Sequence, residues 1–255
     1  MKRNAIARIV IYSLMIAIFS GILMVGLGLN LFTFRTESQG TQVTGEAVSV
    51  DADQISWLDL DWAAGSITIR TADTDQITFT ESGATERYPM VYAISGGTLS
   101  IDYSKKNVAT VGNIPSKDLT ITVPQDWMCK GLDLDGAALE VKIEGLTVID
   151  FDIDGAANEI VFTGSVQELD CDGASCSLTV TCLERPNQIN LDGASIDMEL
   201  ILPENCGFQA QVNGLSCSFR SDLSCTLENE DYCYGDRHCK IYADGLSCKI
   251  TVNQG

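Results

Sequence analysis

The sequence predicts an all-β protein: a repeat β-solenoid, similar to a parallel β-helix with coils of about 20 residues, after a single N-terminal transmembrane helix. Three observations predict it. They are a long uncharged run near the N-terminus, strict alternation of apolar residues beyond it, and a recurring unit, apolar-x-apolar-Asp-Gly-Ala, in the second half. No segment after residue 36 has a convincing 3.6-residue apolar period, so we expect the remainder to be β-structure.

The uncharged run covers 26 residues, Ile9–Phe34, between Arg8 and Arg35. It is long enough to cross a hydrocarbon core of about 30 Å at about 1.5 Å per residue. A cleavable signal peptide is the alternative, but its apolar region is usually only about 7–15 residues, followed by a small-x-small site. Basic residues precede the run, which places the N-terminus in the cytoplasm. We therefore expect residues 1–36 to anchor a single-pass protein in the cell membrane.

The part beyond this anchor is strongly acidic. The chain has 16 Lys and Arg against 35 Asp and Glu. Four of the basic residues are Lys2, Arg3, Arg8 and Arg35, which leaves 12 and a formal charge of −23 beyond the anchor. Nucleic acid and anionic lipid surfaces are bound through Lys and Arg, so this charge disfavours both as partners. Cationic partners and divalent ions are compatible with it.

Composition divides the exterior into a linker and one domain. Residues 37–50 read as a polar linker, and residues 51–255 as an extracytoplasmic β domain with an irregular start, 51–128, and regular repeats, 129–255. Alternating apolar residues predict four strands in the irregular part, Gln76–Thr80, Val91–Ile94, Leu99–Tyr103 and Leu119–Val123.

The repeat has six copies. They are Leu132–Ile143, Phe151–Phe162, Leu169–Val180 and Ile189–Leu200, with looser copies at Ala210–Ser221 and Ile241–Val252. The repeat glycines are Gly136, Gly155, Gly173, Gly193, Gly214 and Gly245. One such unit cannot bury its own apolar face, whereas stacked copies share a continuous core.

The Asp-Gly between the two alternating runs of each copy predicts a turn. Glycine supplies positive φ without steric cost, and the aspartate accepts hydrogen bonds from nearby amides. A hairpin at this point would give an antiparallel meander with the same alternation. The copies resemble one another in register, which favours stacked parallel coils.

The order of parts resembles the DUF4097 family of bacterial adhesin-like proteins. The resemblance rests on the membrane segment, the opening Leu58-Asp-Leu-Asp-Trp-Ala-Ala-Gly-Ser-Ile-Thr-Ile69, the strand Leu119-Thr-Ile-Thr-Val-Pro124 and the serial repeats. It implies a right-handed β-solenoid on the outer face of the cell membrane, in some cases linked to envelope stress, without established catalytic activity. The ten cysteines and the lengthened last period depart from the usual pattern.

Most cysteines follow residue 170. Cys176, Cys217 and Cys248 each come three residues after a repeat glycine, where they are either small core residues or disulfide partners. Cys217 and Cys248 belong to consecutive copies, and a rung spacing of about 4.8 Å would allow a disulfide between them. The long segment Asp222–Lys240 holds Cys225, Cys233, Cys239 and His238. We expect a disulfide-pinned loop there rather than zinc, because the spacing matches no common finger or ribbon pattern. A catalytic Cys-His pair is disfavoured because most thiols outside the cytoplasm would oxidise and no nucleophile signature surrounds these.

Aspartates form a predicted ladder along the repeats. Asp135, Asp154, Asp172 and Asp192 directly precede their glycines, as do Asn213 and Asp244, and Asp133, Asp152 and Asp170 lie two residues earlier. They either bond turn amides and water or, as a minority hypothesis, bind calcium. The calcium-binding Gly-Gly-x-Gly-x-Asp nonapeptide is absent, and we expect no cofactor.

The sequence thus predicts a non-catalytic binding module, adhesin-like or an envelope-stress accessory, whose partner is an unidentified envelope protein or glycan. The alternative is a carbohydrate-active enzyme, similar to a polysaccharide lyase or hydrolase, that uses the aspartate face. Between Gly131 and Phe219 the only basic residues are Lys142 and Arg185, which leaves little to bind an acidic sugar or a developing anion. A cleft with two carboxylates of raised pKa beside an aromatic platform would favour the enzyme.

Overall fold

The structure, a computed structural model, describes residues 40–83, 88–104 and 114–255. Its strands belong to one open, mixed sheet of 14 strands. The first eight are β1 (Thr41–Val43), β2 (Val48–Asp51), β3 (Trp57–Asp61), β4 (Ala64–Ala72), β5 (Gln76–Ser82), β6 (Met90–Ser95), β7 (Thr98–Asp102) and β8 (Lys117–Pro124). The others are β9 (Met128–Cys182), β10 (Gln188–Leu202), β11 (Phe208–Ser221), β12 (Thr226–Glu228), β13 (Asp231–Tyr234) and β14 (Cys239–Gln254).

The all-β class is confirmed for the described residues, but the predicted β-solenoid is wrong. The strands form a single open sheet that mixes parallel and antiparallel pairs. Tight turns account for two of the antiparallel pairs. Gly96 and Gly97, with φ of 60° and 88°, join β6 to β7, and Asn229 and Glu230, with φ of 51° and 77°, join β12 to β13. Positive φ at both central residues is the geometry of a two-residue hairpin, which returns the chain antiparallel.

The predicted transmembrane helix at residues 1–36 lies outside the described residues. Within the described ranges, no helix has both the length and the apolar character needed to span a membrane. The predicted polar linker, residues 37–50, contains two short strands. β1 pairs antiparallel with β6, and β2 pairs antiparallel with β5. The four predicted strands of the irregular region correspond to β5, β6, β7 and β8.

The repeat copies lie in parallel register, glycine beside glycine. Gly193 of β10 faces Gly173 of β9 on one side and Gly245 of β14 on the other, and Gly214 of β11 faces Gly245. The spatial order is therefore β9, β10, β14, β11, with the last copy in sequence inserted between the fourth and the fifth. The 31-residue last period makes this possible, because its extra residues form β12 and β13 outside the stack.

Alternation buries about one residue in two along most of the longer strands. Leu58 of β3 lies between Leu99 of β7 and Leu132 of β9, and each of these side chains is at most 1% exposed. The same columns continue through the repeats, so strands distant in sequence share one core. Removing this apolar surface from water is the main stabilising contribution.

Candidate functional site

The repeat glycines lie within continuous strands, which corrects the prediction of positive-φ turns. Among the six, only Gly214 has a positive φ, 138°. The structure gives another reason for glycine. A Cβ at Gly155 would lie less than 3.0 Å from the carbonyl oxygen of Gly136, and the same holds for Gly173 against Gly155 and for Gly193 against Gly173. Glycine is therefore required because neighbouring backbones approach too closely for a side chain.

The aspartate ladder is present. Asp192 of β10 faces Asp172 on one side and Asp244 on the other. Burial first, and then repulsion from Asp172 and Asp244, raises the pKa of Asp192. Burial and neighbouring carboxylates likewise raise the pKa of three further ladder aspartates, Asp133, Asp152 and Asp154. The ladder is thus a row of mutually repelling carboxylates along one side of the sheet.

Calcium binding by Asp135, Asp154, Asp172 and Asp192 stays a minority prediction. Across the described ranges, no group of three or more His, Cys, Asp or Glu side chains is arranged to hold a metal ion. Zinc at the cysteines around His238 gains no support from the geometry for the same reason. A hard cation such as calcium requires six to eight converging oxygens, whereas a ladder spaces its carboxylates along a line.

Lowering the pH from about 7 to about 5 is expected to raise the thermal midpoint. Because the folded-state pKa of Asp133, Asp152, Asp154 and Asp192 lies above the unfolded value, the folded chain binds more protons in this window. This contribution to stability is complete below the unfolded pKa and is lost as pH rises through the folded pKa. Calorimetry at both pH values measures it.

A matched pair of variants separates the ladder from the general acidity of the chain. Asp152→Asn removes one ladder charge and is expected to raise the midpoint at neutral pH and to reduce its pH dependence. Asp126→Asn, at an exposed aspartate in the turn after β8, is expected to leave both nearly unchanged. A midpoint that falls between pH 7 and pH 5 in the unaltered chain would contradict the assignment.

An open groove of about 620 Å³ crosses β8, β4 and the three copies within β9. Three carboxylates line it, at Asp118, Glu140 and Glu159, together with four serines, at Ser66, Ser116, Ser175 and Ser177. Among the residues that the structure describes, the lining contains no Lys, Arg, His, Cys or aromatic side chain. Ser66 faces both Asp118 and Glu140 in register and donates a 2.7 Å hydrogen bond to Asp118. The groove is therefore an acidic, hydroxyl-rich surface.

Asn158 lies at the floor of this groove and is only 4% exposed. Its Oδ1 accepts a 3.3 Å hydrogen bond from the backbone N–H of Leu139, whereas its Nδ2 has no hydrogen-bond partner. The equivalent position is apolar in neighbouring copies, as at Leu139 and Cys176. Leaving a buried amide unpaired lowers the free energy of unfolding by about 1–3 kcal/mol. The groove therefore carries a polar donor at a position where an apolar side chain would be more stable.

Cys217 and Cys248 are placed opposite each other. They are register partners on β11 and β14, Cys248 is buried and Cys217 is half-buried. Burial, followed by interaction with Cys217, raises the pKa of Cys248 to about 12. The structure shows both as free thiols, so their disulfide stays a prediction.

Non-reducing peptide mapping of the full-length protein is expected to find Cys217 linked to Cys248. The reason is their direct register, since adjacent strands about 4.8 Å apart bring paired Cα atoms near the separation a disulfide needs. As a control, Cys129 on the first part of β9 is buried without such a register partner and is expected to stay reduced. Recovery of both Cys217 and Cys248 as free thiols would contradict the pairing.

Sequence reasoning missed a second group of cysteines. Cys182, Cys206 and Cys239 come from the end of β9, the loop before β11 and the start of β14, and all three are buried. Burial, and then Cys206, raises the pKa of Cys182 to about 12. An ion pair between Arg185 and Asp236 lies beside Cys206. These three thiols pack together in the core where successive copies connect. The repeat period of the sequence does not reveal that they are neighbours.

Sequence reasoning also missed a buried ion pair. Lys117 Nζ lies 2.5 Å from Glu81 Oε2, and neither side chain is exposed. Nζ also donates hydrogen bonds to the carbonyl oxygens of Tyr88, at 3.0 Å, and Tyr103, at 2.6 Å. Burial lowers the pKa of Lys117 against the opposing effect of Glu81, and burial raises the pKa of Tyr103 to about 12. Because every donor of Lys117 is used within the core, the pair has a structural role.

Comparison with known proteins shows the fold. No family model matches the chain, and no curated protein does. Among solved structures, a "putative cell adhesion protein" from Clostridium sporogenes matches with a TM-score of 0.53 and 11% identity, covering 85% of this chain and 100% of that chain. At this identity the match shows a shared fold alone.

Two other solved structures are similar at lower scores. A "putative adhesin" from Bacteroides fragilis has a TM-score of 0.39 and 14% identity, covering 84% of this chain and 100% of that chain. A "putative lipid binding protein" from Parabacteroides distasonis has a TM-score of 0.30 and 13% identity, with the same coverage of both chains.

Proposed function

We propose that this chain is a non-catalytic binding module of the bacterial envelope, adhesin-like and related to DUF4097, whose groove binds an uncharged glycan. The observation that carries the proposal is the described lining of the groove, which combines carboxylates and serines and includes no basic residue. Carboxylates accept strong hydrogen bonds from sugar hydroxyls. Its described residues offer no Lys or Arg as a counter-charge to an acidic sugar, which favours a neutral one.

The geometry favours binding over catalysis. The four aspartates with raised pKa, Asp133, Asp152, Asp154 and Asp192, belong to the ladder and do not line the groove. The groove also lacks an aromatic platform. The Clostridium sporogenes protein that shares the fold is named for cell adhesion rather than for an enzymatic reaction. A carbohydrate-active enzyme is therefore the second candidate.

Membrane anchoring is part of the same proposal. It is supported by the 26-residue uncharged run Ile9–Phe34 behind three basic residues. An anchor at the N-terminus would hold the acidic domain at the outer face of the cell membrane. The residues between that run and β1 would join the two.

Binding of the full chain to an array of neutral and acidic glycans tests the proposal. Glu140→Gln and Glu159→Gln are expected to weaken binding to a neutral glycan about tenfold each, because each removes a charged acceptor worth about 1.4 kcal/mol or more. Glu199→Gln is the matched control, since Glu199 is exposed on β10 outside the groove lining. Full-length protein that resists alkaline extraction from membranes would support the anchor.

Three results would argue against the proposal. If the unaltered chain and both groove variants bound the glycan equally well, the groove would not be the binding site. Preference for acidic glycans would contradict the charge argument. Shortening of the glycan during incubation, abolished by Asp152→Asn and Asp154→Asn, would establish the enzyme instead.

A further inference from the structure

The outermost repeat strand, β11, has an open edge. Along its whole length it pairs with β14 on one side, whereas on the other side β13 covers only Phe208 to Ala210. On that side no described strand pairs with residues 211–221. The side chains of this edge are also less covered than their neighbours: Phe219 is half-buried, whereas its register partner Ile250 is fully buried. Leu215 is 53% exposed.

Charge distinguishes this edge from the other repeat copies. No acidic residue occurs from Gly207 to Ser221, whereas each of the other five copies carries at least one carboxylate. Asn213 occupies the ladder position that holds Asp244 on β14. The exterior has a formal charge of −23, so two copies repel each other across most surfaces. β11 is the repeat strand at which a second copy can approach without opposing carboxylates.

The pattern of β11 is also complementary to itself. Val212 before the repeat glycine and Cys217 after it share register with the buried Ala243 and Cys248. A two-fold axis between Gly214 and Leu215 would place Val212 opposite Cys217 of the second copy. Residues directly opposite in an antiparallel pair share one face, so half-buried side chains would meet half-buried side chains.

We propose that β11 pairs antiparallel with β11 of a second copy, joining two sheets edge to edge. The strand β13 restricts the overlap to residues 211–218, since the axis relates Phe208 to Ser221. Exposed edges template such pairing, and charge normally prevents it; here the charge is missing. The contact is isologous, as in most homodimers, and its short overlap makes it concentration-dependent.

Sedimentation equilibrium of the full chain in density-matched detergent tests the pairing. In the proposed register Asn213 faces Ser216 of the second copy. The double variant Asn213→Asp/Ser216→Glu therefore creates two like-charge pairs and is expected to raise the dimer dissociation constant about a hundredfold. The charge-complementary variant Asn213→Lys/Ser216→Glu is expected to dimerise at least as tightly as the unaltered chain.

Ser195→Glu is the matched control. Ser195 is the exposed equivalent of Ser216 on the interior strand β10, where Asp192 already holds the position of Asn213. This variant is expected to dimerise normally, and thermal midpoints confirm that each variant folds. A chain that stays monomeric at all concentrations would overturn the proposal. So would equal weakening by Ser195→Glu, or a failure of Asn213→Lys/Ser216→Glu to restore the dimer.

Discussion

Replacing Lys117 with methionine is expected to lower the free energy of unfolding by about 3–5 kcal/mol, because it leaves the carboxylate of Glu81 buried without its counter-charge. For a domain of this size, such a loss lowers the thermal midpoint by roughly 10 °C. The neighbouring groups cannot compensate. Among the described residues, Glu81 would keep only the 3.2 Å hydrogen bond that its Oε1 accepts from the backbone N–H of Met90.

The aromatic surroundings enlarge this effect. Lys117 Nζ lies 4.1 Å from the ring centroid of Tyr103 and 4.7 Å from that of Trp62, so the ammonium is also stabilised by two aromatic faces. The Trp62 indole N–H donates a 3.0 Å hydrogen bond to the carbonyl oxygen of Lys117. Methionine would keep the packing of the stem but leave two backbone carbonyls, those of Tyr88 and Tyr103, without the ammonium donor.

Chemical denaturation of two further variants isolates the cause. Lys142→Met removes an exposed lysine that pairs with Glu144, and is expected to change stability by less than about 1 kcal/mol. The double variant Lys117→Met/Glu81→Met removes both buried charges and is expected to recover part of the loss. Full stability of Lys117→Met alone would show that the two charges are not buried together.

The sequence carried a signal for this pair. Glu81 has the same strand parity as Ile77 and Phe79, and Lys117 the same parity as Leu119 and Ile121. Both charged residues therefore occupy inward-facing positions of their strands. Charged side chains are tolerated at such buried positions only when they pair strongly with each other. Their partnership could not be read from the sequence, because β5 and β8 come together only in the folded sheet.

Local pattern predicted the repeat strands and their register well, since period-two alternation and a shared glycine position depend only on nearby residues. It could not predict the order of the strands. β14 lies between β10 and β11. Its place depends on which strand edges are available for pairing after the chain has formed β13. The only sequence trace of it is the last glycine spacing, Gly214 to Gly245.

The candidate groove was beyond sequence reasoning for a related reason. Ser66, Asp118 and Glu140 become neighbours through the pairing of β4 with both β8 and β9. Each residue alone is an ordinary exposed position of an alternating strand. What makes the group distinctive is that the described lining holds no basic or aromatic residue, which becomes visible only when the strands are assembled.

Gly155→Val is expected to destabilise the protein by at least about 2–3 kcal/mol, measured as a lowered denaturation midpoint. Its Cβ would meet the carbonyl oxygen of Gly136 and the amide of Asn158 within 3.0 Å. Moving the strand away is not open to the variant, because the carbonyl oxygen of Gly155 in turn lies against Gly173. Displacing the backbone at one repeat glycine would therefore also displace the repeat glycines of the neighbouring copies.

Alanine variants distinguish lack of space from backbone strain. Gly45 has a φ of 66° with nothing within 4 Å of an added Cβ, whereas Gly155 has no positive φ and no space. Gly45→Ala is expected to cost about 1–2 kcal/mol through its left-handed conformation alone, and Gly155→Ala to cost more. The reverse order would mean that φ, not the approach of neighbouring strands, keeps glycine in the column. If Gly155→Ala is the costlier, the repeated glycine is a consequence of strand pairing, and a copy without it could not take an interior place in the sheet.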